Sequence, residues 1–373
     1  MRILPTYDVI IIGAGPSGAH CAKLLGQNKD LKVLLVDARS FSENEKHHKA
    51  CGGLLSSHAQ EELHKENMSI PDSIKRDPQL SSVSTFDLSA RLHRFYPRSY
   101  VNIDRQAFER WLISLIPPNV RCEFETRVLK ITKEGSLYEI NLTQAHEEFC
   151  VSAKLCIGAD GADSIVRRTF FNDRPFPKRY VSIQERYPCL NKHSAFFGFF
   201  DESITDYYSW ALQKENELLI GSALEIDGQV HQKFDRLKSK VKEVTDFDLD
   251  KLILTEGAII NRPVSLNQLS FHKGCVALIG EASGSISPTS AEGFSFAFRS
   301  ARYLSTRINQ DGPTYKACEH YDKDCNNIRL TILLKLLKAP GMYWPWLRRI
   351  VMISKISSIN PNKSGLIKKR RAH

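Results

Sequence analysis

The chain is as informative in what it lacks as in what it holds. Its nine cysteines form no CxxC pair, and an odd, scattered set points to reduced thiols in a cytoplasmic protein, not to a disulfide scaffold. No apolar stretch approaches the twenty residues of a membrane span, and Val9–Ile12 runs straight into Gly13, so it reads as a buried strand and not as a leader's apolar region. Zinc-spaced clusters, a Gly-x-Ser-x-Gly elbow and a Walker loop are all missing, which removes metalloprotease, hydrolase and kinase readings and predicts no metal. Acidic residues are missing from 329–373, where eleven Lys or Arg stand. The net charge of +10 therefore sits in the tail, over a nearly neutral body, and a diffuse nucleic-acid-binding surface is excluded.

What is present is ordinary globular composition: 373 residues, 42% apolar, 25% charged and 9% aromatic, enough for about two or three lobes. Tyr7–Ile12, Pro16–Gln27 and Lys32–Asp37 read as strand, helix and strand, a βαβ unit opening a parallel sheet. Gly52 to about Glu66 reads as helix, Ser81–Val101 as an antiparallel excursion, and Asp104–Leu115 as an amphipathic helix capped by Asp104. Strands follow at Arg121–Ile131, Leu137–Leu142, Lys154–Ile157, across 179–225 and at Cys275–Gly280. Helices are expected over 229–243 and Phe294–Ile308, with a mostly helical tail. The interleaving predicts an α/β lobe built from separated stretches, with an antiparallel β lobe inserted.

Gly13-Ala14-Gly15-Pro16-Ser17-Gly18 lies between the first strand and the first helix. Gly13 permits the tight turn, Gly15 the approach of a pyrophosphate, and Gly18 close helix–strand packing, while the helix N-terminus attracts phosphate. Asp37, followed by Ala38, ends the next strand, where a carboxylate can accept from ribose hydroxyls. The pattern predicts a dinucleotide. No second glycine motif exists for a resident nicotinamide nucleotide, so NAD(P)H would visit transiently or another protein would supply electrons.

Three later turns narrow the choice: Gly158-Ala159-Asp160-Gly161, Gly280-Glu281-Ala282, and Pro288-Thr289-Ser290-Ala291-Glu292-Gly293 leading into Phe294. Together with the first motif they resemble the flavin monooxygenase and geranylgeranyl reductase superfamily, which shares the para-hydroxybenzoate hydroxylase fold. The resemblance covers about 1–310 and implies FAD, with Asp160, Gly280 and Glu281 near it and the helix after Glu292-Gly293 aimed at the flavin and phosphates. It also implies that Arg105 approaches FAD. The implied organisation is a Rossmann-like FAD-binding lobe in three parts (1–80, 102–175, 265–312), substrate-lobe strands at 81–101, an antiparallel β substrate lobe at 176–264, and a helical basic tail at 313–373.

Cys51-Gly52-Gly53 resembles the Cys-Gly-Gly segment that lies beside the flavin in geranylgeranyl reductases. Cys51 there is either a proton-transfer group or a small packing residue. His47 and His48 just before it are either substrate contacts or solvated loop residues. The segment Ser287–Phe294 with Gly280-Glu281-Ala282 moves the likeness toward the CbrA-type subgroup, with Glu281 departing from the aspartate usual in the superfamily. Tyr208 and Trp210 match two positions of the prenyl reductases' aromatic motif, whose prolines and phenylalanine are absent here, and alternation on a strand puts both on one face. With Phe196, Phe197, Phe199 and Phe200 they suit a bulky apolar substrate. The expected function is FAD-dependent reduction of a C=C bond in a largely apolar, isoprenoid-type molecule; the alternative is an FAD hydroxylase using O₂ and NAD(P)H. In the tail, Leu330, Leu333, Leu334 and Leu337 share a helical face, and Pro340–Trp346 is expected to break that helix. The tail reads as a layer packed on the FAD lobe, while Trp344 and Trp346 beside basic residues also suit peripheral contact with the inner face of a membrane.

Overall fold

The computed structural model describes residues 2–43 and 51–359, with side chains from Thr6 onward. His47, His48 and the Lys368–Arg371 end lie outside these residues. In chain order the first half contains β1 (Arg2–Ile12), α1 (Pro16–Leu25), β2 (Val33–Val36), β3 (Leu54–Ser56), α2 (Ser57–Lys65), β4 (Leu80–Asp87), β5 (Leu92–Asn102) and α3 (Arg105–Ser114). Next come β6 (Arg121–Glu123), β7 (Thr126–Glu134), β8 (Leu137–Gln144), β9 (Glu147–Gly158) and α4 (Ile165–Phe170). The second half contains β10 (Lys178–Pro188), β11 (Ala195–Phe200), β12 (Ser209–Lys214), β13 (Glu217–Glu225), α5 (Val230–Val244), β14 (Leu254–Arg262), β15 (His272–Lys273) and β16 (Val276–Leu278). Four helices end it: α6 (Phe294–Asp311), α7 (Tyr315–Asp324), α8 (Asn326–Tyr343) and α9 (Pro345–Ile353).

The first sheet has the order β15-β16-β9-β1-β2-β6, parallel from β16 to β6, with the β7–β8 hairpin paired antiparallel to β9. Val9–Ile12 is apolar without alternation because both faces are covered. Val9 and Ile11 pack into a core shared with Cys21, Ala22 and Leu25 of α1 and Leu304 of α6. Ile10 and Ile12 pack on the other side against Ile131, Ile140 and Leu142 of the hairpin and Val166 of α4. The second sheet has the order β14-β10-β13-β12-β11-β4-β5-β3, antiparallel apart from the β11–β4 pair. One of its faces packs on Phe234, Leu237 and Val241 of α5. The architecture is a mixed α/β fold with a Rossmann-like lobe, as expected.

Three local readings change, and one is sharpened. Gly52–Glu66 is not one helix: Leu54–Ser56 pairs with Tyr100–Asn102 as an edge strand, and the helix starts at Ser57, where the Ser56 hydroxyl accepts from the Ala59 N–H. Arg121–Ile131 divides at Phe124-Glu125, where Glu125 has a φ of 54°, and its two halves join different partners. Strand β14 lay outside the predicted strand block; Thr255–Arg262 pairs with β10 although Gly257 interrupts its pattern. The break expected within Pro340–Trp346 falls at Trp344: Pro340 lies inside α8, which continues to Tyr343 before α9 starts at Pro345.

Candidate active site

The turn after β1 is built around glycines. Gly13 has a φ of +100°, and a Cβ on it would lie 2.6 Å from the Ala159 carbonyl oxygen. A Cβ on Gly18 would lie 1.8 Å from the Gly13 oxygen, so β1, β9 and α1 meet here without room for side chains. Gly15 differs: the only heavy atom near its Cβ position is Arg39 Nη2 at 4.0 Å, and the residue faces a cavity. Pro16 occupies the first turn of α1, where a missing N–H costs nothing, and no acidic residue there opposes the positive helix end.

Asp37 at the end of β2 fastens this turn. Its Oδ2 accepts from the Ala14 N–H at 2.7 Å and from Arg39 Nη2, and its Oδ1 accepts from the Arg39 N–H and Nε. Four donors fill the carboxylate, so it acts here as scaffold for the turn and for Arg39. Arg39 Nη1 donates to Glu109 Oε2 at 2.8 Å, and Arg105 donates from Nε and Nη2 to Glu109 Oε1 at 2.9 and 2.6 Å. Burial works to raise the Glu109 carboxyl, but Arg105 and Arg39 outweigh it and hold it below the usual carboxylate range. The result is a row of two guanidiniums and two carboxylates along the cavity wall.

Arg105 Nη1 lies 3.5 Å from Cys51 Sγ, which also accepts from the Gly53 N–H at 3.4 Å, and the Arg105 guanidinium stacks 4.6 Å from the Phe294 ring centroid. The Cys51-Gly52-Gly53 turn is fixed from behind by Lys214. Its Nζ donates to the Ile103 carbonyl oxygen at 2.5 Å, to Asn102 Oδ1 at 2.6 Å and to the Gly53 carbonyl oxygen at 3.3 Å. Burial pushes the Lys214 ammonium down to about 7, while these three oxygens hold its protons. Gly53 has a φ of +57°, which suits glycine at this close approach.

Opposite stands Asp160. Its Oδ2 accepts from the Ile165 and Val166 N–H groups at the start of α4, and burial raises its carboxyl. Asp160 Oδ1 is buried and has no partner among the described residues. Glu281 Oε1 accepts from the Asn261 N–H, and Gly280, with a φ of +59°, packs against Ser17. Glu292 caps α6 by accepting from the Ser295 N–H and hydroxyl at 2.7 Å. The loop before it hangs from aromatic residues: Tyr207 donates to the Ser287 oxygen and accepts from the Ala291 N–H, Tyr208 donates to the Ser290 oxygen, and Tyr343 donates to the Thr289 oxygen. Arg262 lies 4.3 and 4.2 Å from the Tyr207 and Tyr343 ring centroids and donates to the Pro288 oxygen.

One cavity of about 1560 Å³ joins all of this, taking in Gly13, Gly15, Pro16, Ser17, Asp37, Ala38, Cys51, Gly52, Gly53, Arg105, Asp160, Glu281, Glu292, Gly293, Phe294, Tyr208 and Trp210. Gly18 and Gly280 stand just behind its wall, as packing positions. Tyr208 and Trp210 share a face with ring centroids 5.6 Å apart, and Phe196 and Phe200 extend the apolar end. Lys214, Tyr207, Tyr343 and Arg262 had no local sequence signal, since each acts on a partner distant in the chain; Glu109 stands one helical turn after Arg105, a local pairing the sequence reading missed. Arg39 could likewise have been suspected, two residues beyond Asp37.

The shape fits FAD. The glycine-lined cradle at Gly15 and the helix end leave room and free N–H groups for a pyrophosphate, and the orphaned Asp160 oxygen can accept from a cofactor hydroxyl. Comparison with known proteins agrees: residues 6–185 match the family model of an FAD binding domain. Protein CbrA of Escherichia coli (strain HS) is 33% identical over 354 residues, covering 95% of this chain and 94% of its own. The geranylgeranyl bacteriochlorophyll reductase-like structure from Thermoplasma acidophilum superposes with a TM-score of 0.73 at 17% identity, covering 94% of this chain and 99% of that one. p-Nitrophenol 4-monooxygenase from Pseudomonas putida gives 0.63 at 14% identity, covering 96% and 100%. These structural likenesses establish the fold, and the cofactor is FAD.

Proposed function

This chain belongs to the family of the CbrA proteins, and we propose that it is a reductase of the geranylgeranyl reductase type, reducing a C=C bond in a largely apolar, isoprenoid-type substrate. The chain is an FAD-dependent oxidoreductase. The observation that carries the finer reading is the continuity of the cavity: the cofactor cradle at Gly15 and the aromatic end at Phe196, Phe200, Tyr208 and Trp210 are one space, with Cys51 in its lining.

When bound and reduced by a visiting nicotinamide nucleotide or a protein donor, the flavin would supply the hydride. The protein's residues do the rest. Gly15, Arg39 and the start of α1 would hold the phosphates, while Asp160 would accept from a cofactor hydroxyl. The aromatic wall holds the alkene in place and keeps water out. Cys51 Sγ, oriented by Arg105 and by the Lys214-pinned turn, delivers the proton to the second alkene carbon. Tyr207, Tyr208 and Tyr343 keep the loop ahead of α6 from filling the space between the two ends.

The test is a single turnover with fully reduced holoprotein and an isoprenoid alkene under strict anaerobiosis. The expected result is oxidised flavin and a product heavier by two hydrogens. A reaction that waits for O₂ and inserts an oxygen atom would assign the protein to the hydroxylases instead.

A further inference from the structure

Helix α8 is apolar on two sides. Ile328 and Ile332 are buried in the core of the FAD-binding lobe, with Leu336 packed against it. Leu330, Leu333, Leu334 and Leu337, at i, i+3, i+4 and i+7, form a second stripe that faces outward, with Leu334 51% and Leu337 70% exposed. Helix α9 packs against α8 and continues the pattern. Its Trp346, Ile350 and Ile353 are 58%, 55% and 62% exposed, and the Trp344 and Trp346 rings lie 6.2 Å apart at the junction of the two helices. A helix that is apolar all round is normally covered by protein or lipid, and an outward apolar patch of this size marks an interaction surface.

The charges around this face identify the partner. From residue 329 onward the sequence carries only basic charges. Arg329, Arg348 and Arg349 are committed to Asp322, Asp87 and Glu202. Lys338 and Lys355 are exposed and form no ion pair among the described residues, whereas Lys335 is partly buried beside Glu292. A second copy of the chain is a poor occupant, because a two-fold contact would set the same basic rim against itself. Residues 360–373 are mostly polar and basic in sequence, which suits them poorly as a cover for leucine and tryptophan. Apolar residues, interfacial tryptophans and a one-sign basic rim together match an anionic bilayer surface.

We propose that α8 and α9 form a membrane-docking face that lies in the headgroup region of an anionic bilayer. No helix among the described residues is long and apolar enough to cross a membrane, so the contact is peripheral. The inward sides of the same helices supply Lys335, Gly341, Met342, Val351 and Met352 to the cavity wall. The docked helices thus place the apolar end of the cavity next to the bilayer, where an apolar substrate is dissolved. Tyr343, the last residue of α8, also holds the loop ahead of α6 through the Thr289 oxygen, so docking face and cofactor loop are mechanically joined.

The test is flotation of the full-length holoprotein with vesicles of phosphatidylcholine alone, or with roughly one-third phosphatidylglycerol. The wild type is expected to float with the anionic vesicles, and Leu334→Glu/Leu337→Glu to lose about tenfold in partitioning. Both leucines are exposed, so the variant keeps its flavin content and thermal midpoint, which are measured alongside. A second variant, Trp346→Ser, is expected to weaken binding and to remove part of the tryptophan blue shift seen on anionic vesicles. Wild-type protein that stays unbound, or that binds neutral and anionic vesicles equally, overturns the proposal. So does a concentration-dependent dimer that the leucine variant abolishes in the absence of any vesicle binding. Flotation needs no turnover, so its outcome is independent of which reaction the flavin serves.

Discussion

Gly15 and Gly18 are three residues apart and do opposite work. A Cβ on Gly18 meets backbone at 1.8 Å, so Gly18→Ala should cost about 3 kcal/mol of stability or prevent folding, read from the urea midpoint. Gly15 has free space before it, so Gly15→Val should fold with a near-normal midpoint and emerge from purification without flavin. Cys51→Ser should retain FAD and lose turnover by about a hundredfold if the thiol moves the proton; full activity would make it a packing residue. His20 offers a pH test away from the site. Buried against Phe298, with neither ring nitrogen partnered, it is pushed down from 6.5 to about 3, chiefly by burial and further by Lys23 and Arg302. The unfolded chain takes up this proton below about pH 6.5 while the native state stays neutral, so stability falls as the pH drops from 6.5 toward 3. His20→Leu should flatten that decline by up to about 1.4 kcal/mol per pH unit. Unfolding curves of both proteins that fall in parallel would contradict the assignment.

At the scale of elements, legibility followed sequence distance. The strand–glycine turn–helix at 7–27 and the cap at Asp104 are local patterns, so the residues that form them announce it. Tyr207, Tyr343 and Arg262 come from separate elements and meet only on the loop ahead of α6, where no periodicity could have joined them. Lys214 likewise ends β12 as an ordinary polar residue, and only the fold brings it under Gly53. Leu54–Ser56 looked helical because its neighbours are; pairing with β5 decided otherwise. The attachment of α9 is similarly non-local. Arg348, buried, donates from Nε to the buried Asp87 Oδ2 at 2.8 Å, tying α9 to the end of β4. Arg348→Ala removes the nearer of two guanidiniums from a buried carboxylate and should cost about 3 kcal/mol, with loss of protection from proteolysis concentrated in 345–359. A midpoint unchanged within error would mean that α9 is held by its apolar contacts alone.

For the whole molecule, the two sheets divide the labour. The parallel sheet and its helices carry the glycine turn, Asp37 and Asp160, and the antiparallel sheet contributes the aromatic wall over the same space. That division was readable from the order of the motifs, because a flavin fold spreads its cofactor residues across the chain in a fixed sequence. The size of the apolar end was not readable, since it depends on how β11 and β12 curve around it. Gly198 of β11 gives access to that end: a Cβ there meets only Phe200 and Phe196, at 3.8 and 4.0 Å, so a larger side chain enters the cavity without straining the sheet. The most direct test of a single cavity shared by cofactor and apolar substrate is Gly198→Leu, assayed for flavin content and for kcat/KM with a long isoprenoid alkene. The predicted result is a full complement of FAD with kcat/KM lowered about tenfold or more, mainly through KM. Unchanged kinetics with a fully flavinated variant would contradict the account, because the substrate would then lie elsewhere.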